Sequence, residues 1–269
     1  MDADHRRLSG SELRLLIRNG RFRGTTAGAA VKYVQANLVV VENPVADEFE
    51  AFCRSNPKPC PLLERLPPGD PRPRLLARES DIRTDLPLYR VYRGGEMVAE
   101  VADICDYWHE GLTGFLTGCS FTFEKRLSAA GSGLRHIERG CNVSMYQTSI
   151  ECEPAGPFKG PMVVSMRPVA MDRVADAVAI TAAVPQVHGA PVHTGAPEAI
   201  GISDLERPDW GDPVPVEAGE VPVFWACGVT PQAVALATGL PVITHSPGHM
   251  FVSDLLEAYV DKAIPVPAG

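Results

Sequence analysis

Two cysteines stand at matching places in the chain. In "FLTGCSFTFE" (residues 115–124) and in "VFWACGVTPQ" (residues 223–232), an apolar run ends at a thiol and a helix start follows at once. Free amides and the helix dipole at such a point favour an anion, and the same field lowers a thiol pKa. Cys119 and Cys227 could therefore work as a two-base pair, one thiol on each face of a carbon acid. They could equally be small packing residues, a common use of buried cysteine. Ser120 is placed to cap the first helix. Glu124 in its first turns can act as a base, or can only complement the dipole. In the second segment, Thr230 reads as the N-cap, Pro231 as the first helical residue, and Gln232 follows close to the same point.

Four histidines come late, His188 and His193 in "VHGAPVH" and His245 and His249 in "THSPGHM". Two loop pairs could hold a metal, but neither pair has a carboxylate partner or a helical His-Glu spacing. Hydrogen-bonding or acid–base use of His188, His245 and His249 is the preferred reading, with no metal. Arg167 ends the strand-like run "MVVSM" and could hold a carboxylate by a bidentate pair, or could sit in a surface ion pair. Tyr146 and Thr148 share one face of a strand and could meet a ligand or the core. Arg135, His136 and Arg139 in "LRHIERG" read as a solvated face.

Elements must position these residues. "LSGSELRLLIRNG" is a helix with a capping box at Ser9 and Glu12. "TTAGAAVKYVQANLVVVEN" reads as a helix entering an apolar strand, and "ADEFEAFCRSN" as an amphipathic helix. Residues 57–73 are Pro-rich loop. "LYRVYRGGEMVAEV" is a hairpin turning at Gly94 and Gly95. "SMYQTSIEC" and "PMVVSMRPV" are strands, and "DRVADAVAITAAV" is a helix apolar enough to be well buried. Near the end, "VPVFWACG", "PQAVALATG" and "LPVITH" predict strand, helix and strand, with the two strands parallel neighbours. Gly228 and His245 would then lie on one sheet edge, where ligands of open α/β sheets bind.

The whole chain sets outer limits. It has 269 residues, 45% hydrophobic and 22% charged, as in an ordinary globular protein. Its formal net charge of -8 argues against nucleic acid or an anionic membrane as the partner. The seven cysteines include no CxxC pair, so neither a zinc framework nor a disulfide scaffold is expected. The opening "MDADHRRLSG" lacks the apolar stretch of a signal peptide, and a cytoplasmic protein is expected.

Taken together and in order, "FLTGCSFTFE", "NVSMYQTSIEC", "MVVSMRPV", "VHGAPVHTG", "VFWACGVTPQ" and "THSPGHMFVSD" resemble the "putative hydro-lyase" family. That family is also called YcsI-like, and it forms one region of proteins described as D-glutamate cyclases. The resemblance runs from about Arg14 to the C-terminus. Ser144 and Ser149 depart from it, standing where the family carries Pro and Asn. It implies an α/β fold of two intertwined subdomains, a mixed sheet with helices on both sides. Residues 1–118 and 196–269 would form the outer unit, and residues 119–195 an inserted one. The expected function is a carbon–oxygen lyase acting on a small carboxylic acid by general acid–base chemistry, without a cofactor. The resemblance carries over no catalytic residue; residue chemistry alone gives Cys119, Glu124, Cys227 and His245 as the catalytic set. The binding set is Ser120, Tyr146, Arg167, His188, Thr230, Gln232 and His249. Lactam closure of glutamate, or its reversal, remains open, as does a non-catalytic binder of small acids. A homo-oligomer is expected.

Overall fold

The computed structural model describes residues 4–260. Helix α1 (Gly10–Arg18) starts at Ser9, whose side chain accepts from the Glu12 amide while Glu12 reaches back to the Ser9 amide. That is the expected capping box. Leu13 and Ile17 give the helix its buried face. Strand β1 (Tyr33–Glu42) is the spine of the first sheet, buried on both faces along "VQANLVVV". The segment before it does not form the expected helix. Residues 25–32 are turns, with Gly28 and Ala30 at positive φ, and the Thr26 amide is tied to the Gly248 carbonyl.

Helix α2 (Ala46–Ser55) follows, and a short strand β2 (Leu62–Arg65) crosses the Pro-rich stretch. Strands β3 (Tyr89–Arg93) and β4 (Glu96–Val101) make the expected hairpin, with Gly94 at φ 62° and Gly95 at φ 82°. Two successive positive φ values are what a tight hairpin turn requires. Strand β5 (Leu112–Gly118) leads into helix α3 (Phe121–Ala129), and a short helix α4 (Arg135–Arg139) follows. Strands β6 (Ser144–Glu151) and β7 (Pro161–Ala170) precede helix α5 (Val174–Ala182) and the two-residue strand β8 (His193–Thr194). Strand β9 (Glu220–Ala226), helix α6 (Val229–Ala237), β10 (Val242–His245) and β11 (Phe251–Leu256) complete the described elements.

The strands form two sheets, and every pairing between them is antiparallel. The first has seven strands in the order β2-β5-β1-β10-β3-β4, with β11 also on β1. Strand β11 takes the start of β1 and β10 its end, so the loop at residues 246–250 leaves the sheet between them. The second sheet runs β6-β7-β9-β8. The fold is thus α/β in two intertwined units, both of which draw on distant parts of the chain.

Three expectations need correction. Strands β9 and β10 are not parallel neighbours: β9 pairs with β7 in the second sheet, and β10 with β1 and β3 in the first. Helix α6 is the bridge between sheets, not a crossover within one. The boundary at residue 195 falls inside the second sheet, because β9 at Glu220–Ala226 belongs there. Helix α5 is mostly exposed, with only Ala177 and Thr181 buried; its apolar content is largely alanine, which gains little from burial.

Side-chain alternation divides the core. Val39 and Val41 of β1 pack with Phe49 and Phe52 of α2 and with Val234 and Ala235 of α6. Val34, Ala36, Leu38 and Val40 point the other way, into a cluster with Phe123 and Leu127 of α3, Ala177 of α5 and Trp225 of β9. Helices therefore cover both faces of the first sheet. Trp225, fully buried, joins the second sheet to the same core.

Candidate active-site cleft between two strand–helix junctions

The two cysteines sit in the same local frame. At the first junction the Cys119 amide donates to the Gln35 carbonyl at 3.1 Å, and the Thr122 amide donates to the Cys119 carbonyl at 3.1 Å. The Thr122 hydroxyl accepts from the Gln35 amide at 3.0 Å and lies 3.4 Å from the Gln35 carbonyl. At the second junction the Cys227 amide donates to the Val163 carbonyl at 2.9 Å, and the Thr230 amide to the Cys227 carbonyl at 2.9 Å. The Thr230 hydroxyl accepts from the Val163 amide at 3.0 Å and donates to the Val163 carbonyl at 3.2 Å. A Cys-x-x-Thr turn thus locks each helix start to a strand of its own sheet, β1 in one case and β7 in the other.

This arrangement corrects the capping expectations. Thr230 lies inside the first turn of α6, flanked by Gly228 at the cap position, and its hydroxyl serves the neighbouring strand. Ser120 does precede α3, but it has helical dihedrals and caps nothing; its hydroxyl accepts from Arg167 Nη2 at 2.9 Å.

A cleft lies between the junctions, lined by Cys119, Ser120, Cys227, Gly228, His245 and Asn37, with Phe121, Met145 and the Pro247–Met250 loop at its sides. Asn37 links the two junctions. Its Nδ2 donates to the Gly118 carbonyl at 2.7 Å, and it packs so tightly on Gly228 that a Cβ there would lie 2.0 Å from Nδ2. The enclosed volume is about 20 Å³, room for one water, so a bound acid must displace Phe121 or the loop. Beyond Phe121 opens a larger cavity of about 510 Å³, walled by Gln35, Glu124, Lys125, Arg6 and Glu138.

Charge in this region is buried and paired. Glu124 Oε1 accepts from Arg167 Nε at 3.1 Å and Nη2 at 2.5 Å, and His136 Nε2 lies 3.0 Å away. Arg167 Nη1 donates to Ser165 Oγ at 3.1 Å, and its guanidinium lies over Phe123 and Trp225. Burial alone would raise the Glu124 pKa, but His136 and Arg167 hold it down to about 2. Glu124 Oε2 is buried without a hydrogen-bond partner. His136 is 1% exposed, so the solvated face expected for it is wrong; Phe121 stacks on its ring. Arg167 is 1% exposed and does not line the cleft, since its donors are turned to Glu124, Ser120 and Ser165.

His245 closes a gap in the sheet. Its Nδ1 accepts from the Leu38 amide at 3.1 Å, where β10 and β11 diverge from β1. The neutral ring then carries its proton on Nε2. The Gln232 amide lies 2.8 Å from Nδ1 and 3.1 Å from Nε2. Burial lowers the His245 pKa to about 3, so the imidazole is neutral near pH 7. Burial raises both thiol pKa values, Cys119 well above the ordinary thiol range and Cys227 to about 11, against the lowering by the Phe121 and Val229 amides respectively.

The other binding candidates lie outside the cleft. Tyr146 is buried on the far face of the second sheet, its hydroxyl donating to the Leu205 carbonyl at 2.7 Å. His188 is buried with φ 84°, its Nδ1 2.9 Å from the Lys58 carbonyl and its pKa lowered by burial to about 4. His249 turns its Nδ1 to the Pro247 carbonyl at 2.9 Å. Asn37 escaped the sequence reading, although the two amides Gln35 and Asn37 inside "QANLVVV" are a usable signal of a polar task. Among the described residues, no group of three or more His, Cys, Asp or Glu is arranged to hold a metal ion.

Known proteins are similar to this chain in sequence. The family described as D-glutamate cyclase matches residues 113–254, which contain both junctions. A relative from Rubrobacter xylanophilus named "Putative hydro-lyase" is 58% identical over 249 residues, covering 92% of this chain and 96% of its own. One from Bacillus licheniformis with the same description is 56% identical over 245 residues, covering 91% and 94%. One from Stutzerimonas stutzeri is 56% identical over 252 residues, covering 93% and 95%. A solved nitrogen repressor-like protein from Methanococcus jannaschii aligns at 10% identity and TM-score 0.40 over 93% of this chain and 97% of its own, too distant to carry a functional reading. Identity above one half across nine-tenths of both chains is decisive: the protein belongs to the "putative hydro-lyase" family, and its residues 113–254 match the D-glutamate cyclase family.

Proposed function

We propose that the cleft between the two junctions is the active site of a carbon–oxygen lyase acting on a small carboxylic acid. The observation that carries this reading is the convergence of Cys119, Ser120, Cys227 and His245 on one cleft at the starts of α3 and α6. The dipoles of α3 and α6, whose starts both face the cleft, supply the local positive potential that an acid needs in a protein of net charge -8. The carboxylate lies against the Ser120 hydroxyl, in the field of the two helix starts. One thiol, as thiolate, removes the proton from the carbon beside the carboxylate. The departing hydroxyl takes its proton from the second thiol, with His245 Nε2–H as a hydrogen-bond donor to it. Glu124 and Arg167 act from behind, because their pair fixes Ser120 and the first turn of α3.

The match to D-glutamate cyclases favours a second reading, lactam closure of glutamate with loss of water. Both readings use a carboxylate anchor and a proton donor. One experiment separates them. The protein is incubated with D- and L-glutamate and with D- and L-malate, and products are followed by NMR. An unsaturated acid supports the lyase, a five-membered lactam supports the cyclase, and binding without turnover identifies a small-acid binder. Turnover that persists unchanged in the Cys119→Ser/Cys227→Ser double variant removes this cleft from the reaction.

A further inference from the structure

The junctions are duplicates in geometry as well as in sequence. Each consists of a strand end, a cysteine, a threonine three residues on, and a helix of nine residues. Each cysteine accepts from the amide two residues ahead of it, Phe121 for Cys119 and Val229 for Cys227. The strand that receives each lock comes from a different sheet, so the two thiols reach the shared cleft from the two sheets. The thiols sit among Phe121, Val143, Met145 and Met250, and packing alone does not require two of them in matched frames around one cleft. A carbon acid that gains and loses a proton on both faces does require it.

Resting on the reading of the cleft as a small-acid site, we propose that Cys119 and Cys227 form an opposed proton-transfer pair that inverts the configuration of the carbon beside the carboxylate. The Cys227 thiolate takes the hydrogen of that carbon as a proton and becomes a thiol. The electron pair stays on the substrate as an enediolate, stabilised by the dipoles of α3 and α6 and by the Ser120 hydroxyl. The Cys119 thiol gives its proton to the other face and becomes a thiolate. No oxidant or cofactor is consumed, and the opposite enantiomer is processed by the same steps in reverse.

The two thiols differ in how readily they ionise. Cys119 is raised further because it faces Glu124 and the Cys227 thiol in addition to being buried, while Arg167 lowers both. Cys227 therefore ionises first and is the first base. His245, the remaining titratable group lining the cleft, is neutral across this range. The rate of proton abstraction should climb as pH rises above 7.

The test uses the full chain in deuterium oxide with D- and L-glutamate and D- and L-malate as probes. Loss of the α-proton signal is read by NMR, and configuration by chiral chromatography. The wild type is expected to wash deuterium into the α-position of at least one probe and to produce its mirror image. Cys119→Ser and Cys227→Ser are each expected to exchange only one enantiomer, the two variants choosing opposite ones, with inversion slowed at least tenfold. Circular dichroism checks that both variants are folded. Exchange or inversion unaltered in both variants overturns the proposal. No exchange with any probe also overturns it, and if unsaturated acid or lactam still forms in the same tubes, the lyase or cyclase reading survives.

Discussion

Arg167 illustrates how burial changes the meaning of a residue. At a strand end in the sequence it is a candidate anchor for a carboxylate, but here its donors are engaged by Glu124, Ser120 and Ser165 inside the protein. Removing one partner of a buried pair leaves an uncompensated charge, which costs about 3–5 kcal/mol. Arg167→Met is therefore expected to destabilise the fold by that order, and Arg167→Met/Glu124→Gln by distinctly less. Urea unfolding of the single and double variants checks this, and equal losses in both would refute the pairing.

His245 makes a pH prediction of the same kind. Its folded pKa of about 3 lies below the ordinary 6.5, so the unfolded state binds the proton first. The stability it supports is complete above pH 6.5 and is lost as pH falls toward 3, at up to about 1.4 kcal/mol per unit. Glu124, lowered from 4.5 to about 2, adds a loss over that lower window. His245→Asn keeps an acceptor for the Leu38 amide without the titration. Its stability should fall less steeply between pH 6.5 and 5, as read by urea midpoints across pH.

At the scale of elements, the paired junctions make a matched prediction. Thr122 and Thr230 perform the same task, so Thr122→Val and Thr230→Val should each cost about 1–3 kcal/mol by leaving a buried strand amide unpaired. A large cost in one and none in the other would show that the frames are not equivalent. Gly228 and Gly118 mark the close approaches. A Cβ at Gly118 would come within 2.0 Å of the Gln186 carbonyl oxygen, which is backbone and cannot swing aside. Gly118→Ala should therefore disturb the fold more than Gly228→Ala, where the obstacle is the Asn37 side chain. Thermal melts of the two variants rank them.

Across the whole molecule, the two sheets share one interior. Trp225 of β9 packs with Leu38 and Leu116 of the first sheet's core and donates from its ring nitrogen to Thr181 of α5 at 3.1 Å. Trp225→Ala is expected to cost about 3–5 kcal/mol. The second sheet has a cluster of its own on its far face, around Tyr146 and Phe224, but Trp225 ties its near face into the first sheet's core, so unfolding should stay a single transition. Coincident far-ultraviolet dichroism and tryptophan fluorescence curves would show this, and separated transitions would refute it.

Local pattern was sufficient for much of this protein. The capping box of α1, the Gly94-Gly95 hairpin, the apolar runs of β1, β5, β7 and β9, and the thiols at two helix starts are all written in residues a few positions apart. Such features depend on hydrogen bonds and periodicities that the neighbouring chain supplies. Which sheet each strand joined was decided only by tertiary structure. Strands β9 and β10 look like parallel neighbours, yet antiparallel partners far away in the chain, β7 on one side and β1 and β3 on the other, claimed their backbone groups. The same distant packing turned His136 inward to Glu124, turned Tyr146 away from the cleft, and brought Asn37 between the two cysteines. A sequence announces residue types and their local frames. The faces they share depend on long-range burial and strand pairing, which no window of neighbouring residues contains.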